Sequence, residues 1–209
     1  MTGKRAGGVR ATYHRGNTRS DAIAAGHALL SAGGVEAVTT VAVAARLNVS
    51  RAAVARAFPS ISDLHAVLAE DCVRLLGKDL AQAEDAYRFA EPQARWAAIA
   101  HAYLAWSRSH PHEYALVFRT PSSGEARPLF EESGEPVPDA FELGLPPWDG
   151  DPAENPAFAR WALLHGLATL LNEGPLHDLD AQSADRVVNA AVAQLVVLLT
   201  EAYRPSGTP

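Results

Sequence analysis

Apolar residues recur along this chain at intervals of three and four, and they alternate with polar residues nowhere; the pattern predicts helices and no strand. The first 17 residues carry glycine and arginine without a period and predict a flexible basic arm. From Ser20 to Ala32 a helix is predicted with Ile23, Ala24, His27, Leu30 and Ser31 near one stripe, stopped by Gly33-Gly34. Thr39 and Thr40 suit the start of a short helix over "VAVAARL". Asn48, one of the few residues other than glycine to accept a left-handed turn, then leads to Ser50, the expected cap of "RAAVARAF". Pro59 ends that helix.

Beyond Pro59 the elements lengthen. Ser62 is expected to cap a helix reaching about Ala86, with Leu64, Val67, Leu68, Cys72, Leu75 and Leu76 at helical spacing. Pro92 opens a helix that Pro111 closes, and "PHEYALVFR" forms a shorter one before Pro121. Residues 121–156 are rich in proline and glycine and keep no helical pattern beyond a turn or two, which marks them as partly structured or functional. Pro156 opens "AFARWALLHGLATLLNE", stopped by Gly174-Pro175, and Asp180 caps a last helix stopped by Pro205. About nine helices are expected, hence an all-α fold: an arm at 1–17, a three-helix head at 18–60 and a helical body at 61–205.

Charge changes the picture more than composition does. The net charge is −6, which by itself disfavours a polyanionic partner. Yet residues 1–60 hold eight cations (Lys4, Arg5, Arg10, Arg15, Arg19, Arg46, Arg51, Arg56) against Asp21 and Glu36, and the rest of the chain is strongly acidic. A basic module joined to an acidic body is the distribution of a chain that meets a polyanion at one end. No apolar run approaches the roughly 20 residues of a membrane span, so no membrane partner is expected. The N-terminus lacks the apolar core of a signal peptide. Cys72, the one cysteine, fits a reducing cytoplasm and a core position.

The two short helices and the longer one before them satisfy the demands of a helix-turn-helix. Ala44 is small where the helices cross, Asn48 takes the turn, and Val43, Leu47, Val49 and Val54 are apolar to fix the crossing. Arg51, Ala52, Ala53 and Arg56 then face outward toward a major groove, with Ser50 and the helix N-terminus near a phosphate. The stretch from Thr18 to Leu64 resembles the N-terminal domain of TetR-type transcriptional regulators, in which a glycine-stopped helix, a threonine cap and a Gly-Val-Ser turn recur in this order. "AYLAWSRSHPHEYALVF" and "WALLHGLATLLNEGPL" are similar to the effector domain of a TetR subgroup marked by Trp161, His165 and Gly166. The resemblance implies a homodimer, double-stranded DNA with a palindromic operator as partner, and a small-molecule effector. It also implies DNA contacts from Thr39, Thr40, Ser50, Arg51, Ala52 and Arg56, while the basic arm with Arg10, Arg15 and Arg19 can reach a backbone or minor groove.

The chain departs from that family where glycine, tyrosine, histidine and lysine are usual: it has Ala52, Ala55, Ala57 and Ile61. The family's tyrosine and lysine commonly touch the DNA backbone, and each lost cationic contact lowers the salt slope of binding by about 0.9. A regulator-like fold with a silent head is therefore the competing reading. In the body, Trp96, Tyr103, Trp106, Phe118, Trp161 and His165, with Tyr114 and Phe158 among the same aromatics, suit the walls and polar handle of an effector chamber, although core packing explains any one of them. Gly166 is expected to admit a neighbouring backbone. The last two helices are apolar nearly all round, which predicts burial on two sides and a four-helix dimer interface. His110 and His112 with Glu113 are poorly spaced for a metal, no nucleophile constellation, phosphate loop or dinucleotide fingerprint occurs, and no enzyme, metal or cofactor is expected.

Overall fold

A computed structural model describes residues 18–119 and 156–202, and their regular structure is all helical, with no strand among them. Eight α-helices and one short 3-10 turn follow in order. In the head lie α1 (Thr18–Gly33), the 3-10 turn Val35–Ala37, α2 (Thr40–Leu47) and α3 (Arg51–Ala57). The body holds α4 (Ile61–Ala86), α5 (Pro92–Ser109), α6 (Pro111–Arg119), α7 (Pro156–Asn172) and α8 (Ala181–Ala202). The proline-rich stretch after α6 lies outside the described residues.

The head folds by capping as much as by burial. Gly34 leaves α1 at φ +74°, its N–H returning to the Leu30 carbonyl at 2.8 Å. The Thr39 hydroxyl accepts from the Ala42 N–H at 3.1 Å, so Thr39 alone is the cap and Thr40 is the first helical residue. Asn48 stands left-handed at φ 54° and ends α2. Val43, Ala44 and Val54 are buried at the crossing of α2 and α3, with Leu47 and Val49 packed beside them. On α1 the buried face is Ala22, Ala25, Gly26 and Leu30, turned by about a residue from the predicted stripe; Ala24 and Ser31 face solvent. The cause is Gly26, where an added Cβ would come 2.9 Å from a Leu68 methyl. Its bare backbone sets how closely α1 lies on α4.

Ser60, not Ser62, caps α4. Its hydroxyl accepts from the Asp63 N–H at 3.2 Å while the Asp63 carboxylate accepts from the Ser60 N–H at 2.8 Å, a reciprocal box. Ser60 and Ser62 offer the same hydroxyl, and Asp63, three residues after Ser60, selects the earlier one. With 26 residues, α4 is about 39 Å long and belongs to both halves. Leu64 and Leu68 pack under the head, while Cys72, Leu76 and Leu80 continue the same buried row into the body; Leu75, expected in that row, is half exposed. Core burial is therefore continuous from Val43 and Phe58 through α4 to Ile99, Tyr103 and Leu164. Pro111 does not so much close α5, which ends at Ser109, as begin α6. The Asp180 carboxylate accepts from the N–H and the hydroxyl of Ser183 and caps α8 as expected.

Candidate functional sites: an outward helix and an aromatic cluster

Ser50 starts α3 by accepting from the Ala53 N–H at 3.2 Å, and Phe58 ends it, buried beneath the head. Between them Arg51, Ala52, Ala55 and Arg56 are exposed, whereas Ala53, expected to face outward, is half-buried against the head. Arg19 is not part of the arm. It sits in the first turn of α1, donates to the Ala57 carbonyl at 3.0 Å and lies 4.4 Å above the Phe58 ring. A cation bonded to a C-terminal carbonyl complements the negative end of a helix dipole, so this guanidinium fixes the far end of α3. Thr39 is exposed at the start of α2 and Thr40 half-buried beside it. Arg10 and Arg15 lie outside the described residues.

Three histidines join the head to the body. His27 on α1 meets the Asp71 carboxylate on α4 at 2.9 Å, and Asp71 is shared with Arg74. His65 donates its Nε2–H to the Val38 carbonyl at 2.9 Å. His112, in the first turn of α6, lies against Gly34, where a Cβ would stand 3.2 Å from its Nδ1.

The six residues expected around a chamber fall into three places. Tyr103, Phe118, Trp161 and His165 gather where α5, α6 and α7 meet, with Phe118 4.9 Å from the His165 ring and Trp161 5.2 Å from it, centroid to centroid. Trp96 lies toward the start of α5, its ring 5.5 Å from the buried Arg160 guanidinium. Trp106 stacks on His110 at 5.2 Å, at the other end of α5. Ten residues of helix separate the two tryptophans by about 15 Å, so spacings of seven and then three put Trp96, Tyr103 and Trp106 on one face without bringing the tryptophans together.

Tyr114, read with those aromatics but not as an effector contact, completes the cluster together with Thr169, which was missed. The Tyr114 hydroxyl is 2.9 Å from His165 Nδ1 and 3.4 Å from the Thr169 hydroxyl, while the Tyr103 hydroxyl is 3.2 Å from the same Nδ1. Their signal was helical spacing: Tyr114 precedes Phe118 by four residues, and Thr169 follows His165 by four. Burial pushes both tyrosine hydroxyls up and holds His165 below its ordinary value, Glu173 opposing that in part. A neutral imidazole accepting at Nδ1 carries its proton on Nε2. The result is an apolar ring of aromatics around a short polar chain.

None of the six lines the cleft between α5 and α8. That cleft holds about 290 Å³ and is bounded by His101, Ala105, Arg108, Asp185, Val188 and Asn189, with Arg108 donating to Asp185 at 2.7 Å. Gly166 also differs from expectation: among the described residues a Cβ there meets nothing within 4 Å, so none of their backbones approaches it.

Comparison with known families and structures agrees with this architecture. Residues 22–67 match "Bacterial regulatory proteins, tetR family", and residues 96–195 match "Tetracyclin repressor-like, C-terminal domain". Among curated proteins nothing matches. Of solved structures, a protein of unknown function from Rhodococcus sp. RHA1 is 28% identical, with a TM-score of 0.66 over 90% of this chain and 97% of its own. A candidate regulatory protein, SCO4313, is 24% identical with a TM-score of 0.60, over 90% of this chain and 98% of its own, and shares the fold. With its outward-facing α3 on a matched head, and its aromatic cluster within a matched body on the same chain, the protein belongs to the TetR family of bacterial regulatory proteins.

Proposed function

We propose that the protein is a cytoplasmic, homodimeric repressor that binds a palindromic operator and is released by a small apolar or aromatic effector. The observation that carries DNA binding is the exposed face of α3, two arginines on a helix capped by Ser50 at one end and held by Arg19 at the other. A helix fixed at both ends presents its face without paying ordering entropy on contact. Dimerisation is supported by apolar side chains facing solvent on the last two helices: Leu163 and Leu170, 47% and 43% exposed and seven residues apart on α7, and Val197 on α8 at 51%. Two such pairs form a four-helix interface and set two copies of α3 about 34–36 Å apart, one turn of duplex.

The effector reading is supported by the Tyr103–Tyr114–His165 chain enclosed by aromatics, and by the buried Trp96 indole N–H, which makes no hydrogen bond among the described residues. A donor in that position suits an acceptor on a ligand. The route outward is α6: Tyr114 and Phe118 belong to the cluster, and His112 at the start of the same helix presses on Gly34 of the head. A ligand that prefers the non-binding form by several kcal/mol empties the operator. Mobility shift of the full chain on the region upstream of its own gene, at two salt concentrations, tests this. Retention that weakens with salt supports the proposal; no retention at low salt leaves a ligand-binding or scaffold protein with a silent head, the reading that Ala52, Ala55 and Ala57 favour.

A further inference from the structure

The exposed residues of α3 are not mixed at random around it. At about 100° per residue, Arg51 and Arg56 stand about 140° apart, with Ala55 and Ala52 between them at about 40° and 100° from Arg51. Val54 and the half-buried Ala53 and Ala57 occupy the remaining arc against the head. The centre of the outward face is thus two methyl groups, and its rims are two guanidinium groups.

This arrangement constrains what can be read. A methyl offers neither donor nor acceptor, so a cytosine amino group or an adenine N6 facing it loses water and gains no partner. The thymine 5-methyl is the one base-edge group in the major groove that gains from such a contact. With nothing longer than alanine at its centre, α3 can also lie closer to the groove floor than a helix carrying tyrosine there. The arginines at the rims supply long cationic donors to the purine edges and phosphates on either side. We infer that Ala52 and Ala55 make α3 a thymine-methyl reader, its specificity resting on two thymines per half-site bracketed by the contacts of Arg51 and Arg56. The inference rests on the DNA-binding function proposed above.

The test changes the DNA and leaves the protein intact. Duplexes retained by the full-length chain are selected from a random library, and thymines of the recovered half-site are replaced singly by deoxyuridine, which lacks only the methyl. Burying one methyl is worth about fourfold in affinity, so two positions per half-site are expected to weaken binding by about that factor each, and other thymines not at all. Ala52→Gln, which substitutes an adenine-reading side chain on an exposed position, is expected to abolish the effect at one position and leave the other. Equal affinity for thymine and deoxyuridine duplexes, or a recovered half-site without thymine, overturns the methyl reading while DNA binding stands. If no duplex is retained in dilute buffer, both fall.

Discussion

Gly34 is where a single added methyl should be felt in two ways. Its φ of +74° and ψ of −173° lie in a region essentially restricted to glycine, where another residue costs on the order of 1–3 kcal/mol. The Cβ would also stand 3.2 Å from Nδ1 of His112, a contact that His112 must yield to by a few tenths of an ångström. Gly34→Ala should therefore destabilise the protein by about 2–3 kcal/mol, most of it from the backbone. For a chain of this size, each kcal/mol lowers the midpoint by about 2–4 °C, so the expected shift is about 4–12 °C. Thermal and urea unfolding of Gly34→Ala, His112→Ala and the double variant apportion the terms: the double variant should recover only the steric part, under about 1 kcal/mol. A single variant as stable as wild type, or complete recovery in the double, would show that the bend and the α6 contact are not as described.

Other outcomes follow from the same geometry. Arg19→Ala removes the cation from the end of α3 and should weaken binding to every duplex alike, with little loss of global stability, by anisotropy and melting together. Leu163→Glu with Leu170→Glu should yield monomers in sedimentation without unfolding the chain, since both side chains face solvent within one copy. The Cys72 thiol, pushed up to about 12 from 9.0 by burial and by Glu113 and Asp71, should resist disulfide reagents at pH 8 until the protein unfolds. Because the folded value is raised, the stability it contributes is present below pH 9 and is lost as pH climbs toward 12. His165 has the opposite sign. Its folded value lies below the ordinary 6.5, so its stabilisation is present above that pH and is lost as pH falls through the folded value. His101 contributes in the same direction, so an NMR titration of His165 itself gives the direct check.

The short elements were legible because their signals are local. Asn48 and Ser50 each act within a turn, and both stand where the sequence placed them. Thr39 did too, but Thr40 beside it offered the same hydroxyl, and only the extended backbone at Thr39 chooses between them. Ser60 and Ser62 pose the same ambiguity, resolved by Asp63 lying three residues after Ser60. The chamber was harder because its assembly is not local. Trp96, Tyr103 and Trp106 share a face of α5, yet only Tyr103 lies at the level of His165, and helical spacing carries no information about which level a facing helix reaches. The α5–α8 cleft was invisible for the same reason: His101 and Asp185 are 84 positions apart, and neither stands out in its own segment. Arg19 read as part of a basic run and revealed its use only once Phe58 was beneath it.

In the proposed regulator two copies, joined through α7 and α8, present two copies of α3 to one duplex. Sedimentation velocity of the full chain with a fluorescent duplex from its upstream region measures this directly. Two chains of 22.2 kDa each per duplex, with no species carrying one, is the expected result. A single bound chain at saturation, or duplex that sediments alone at low ionic strength, would contradict it.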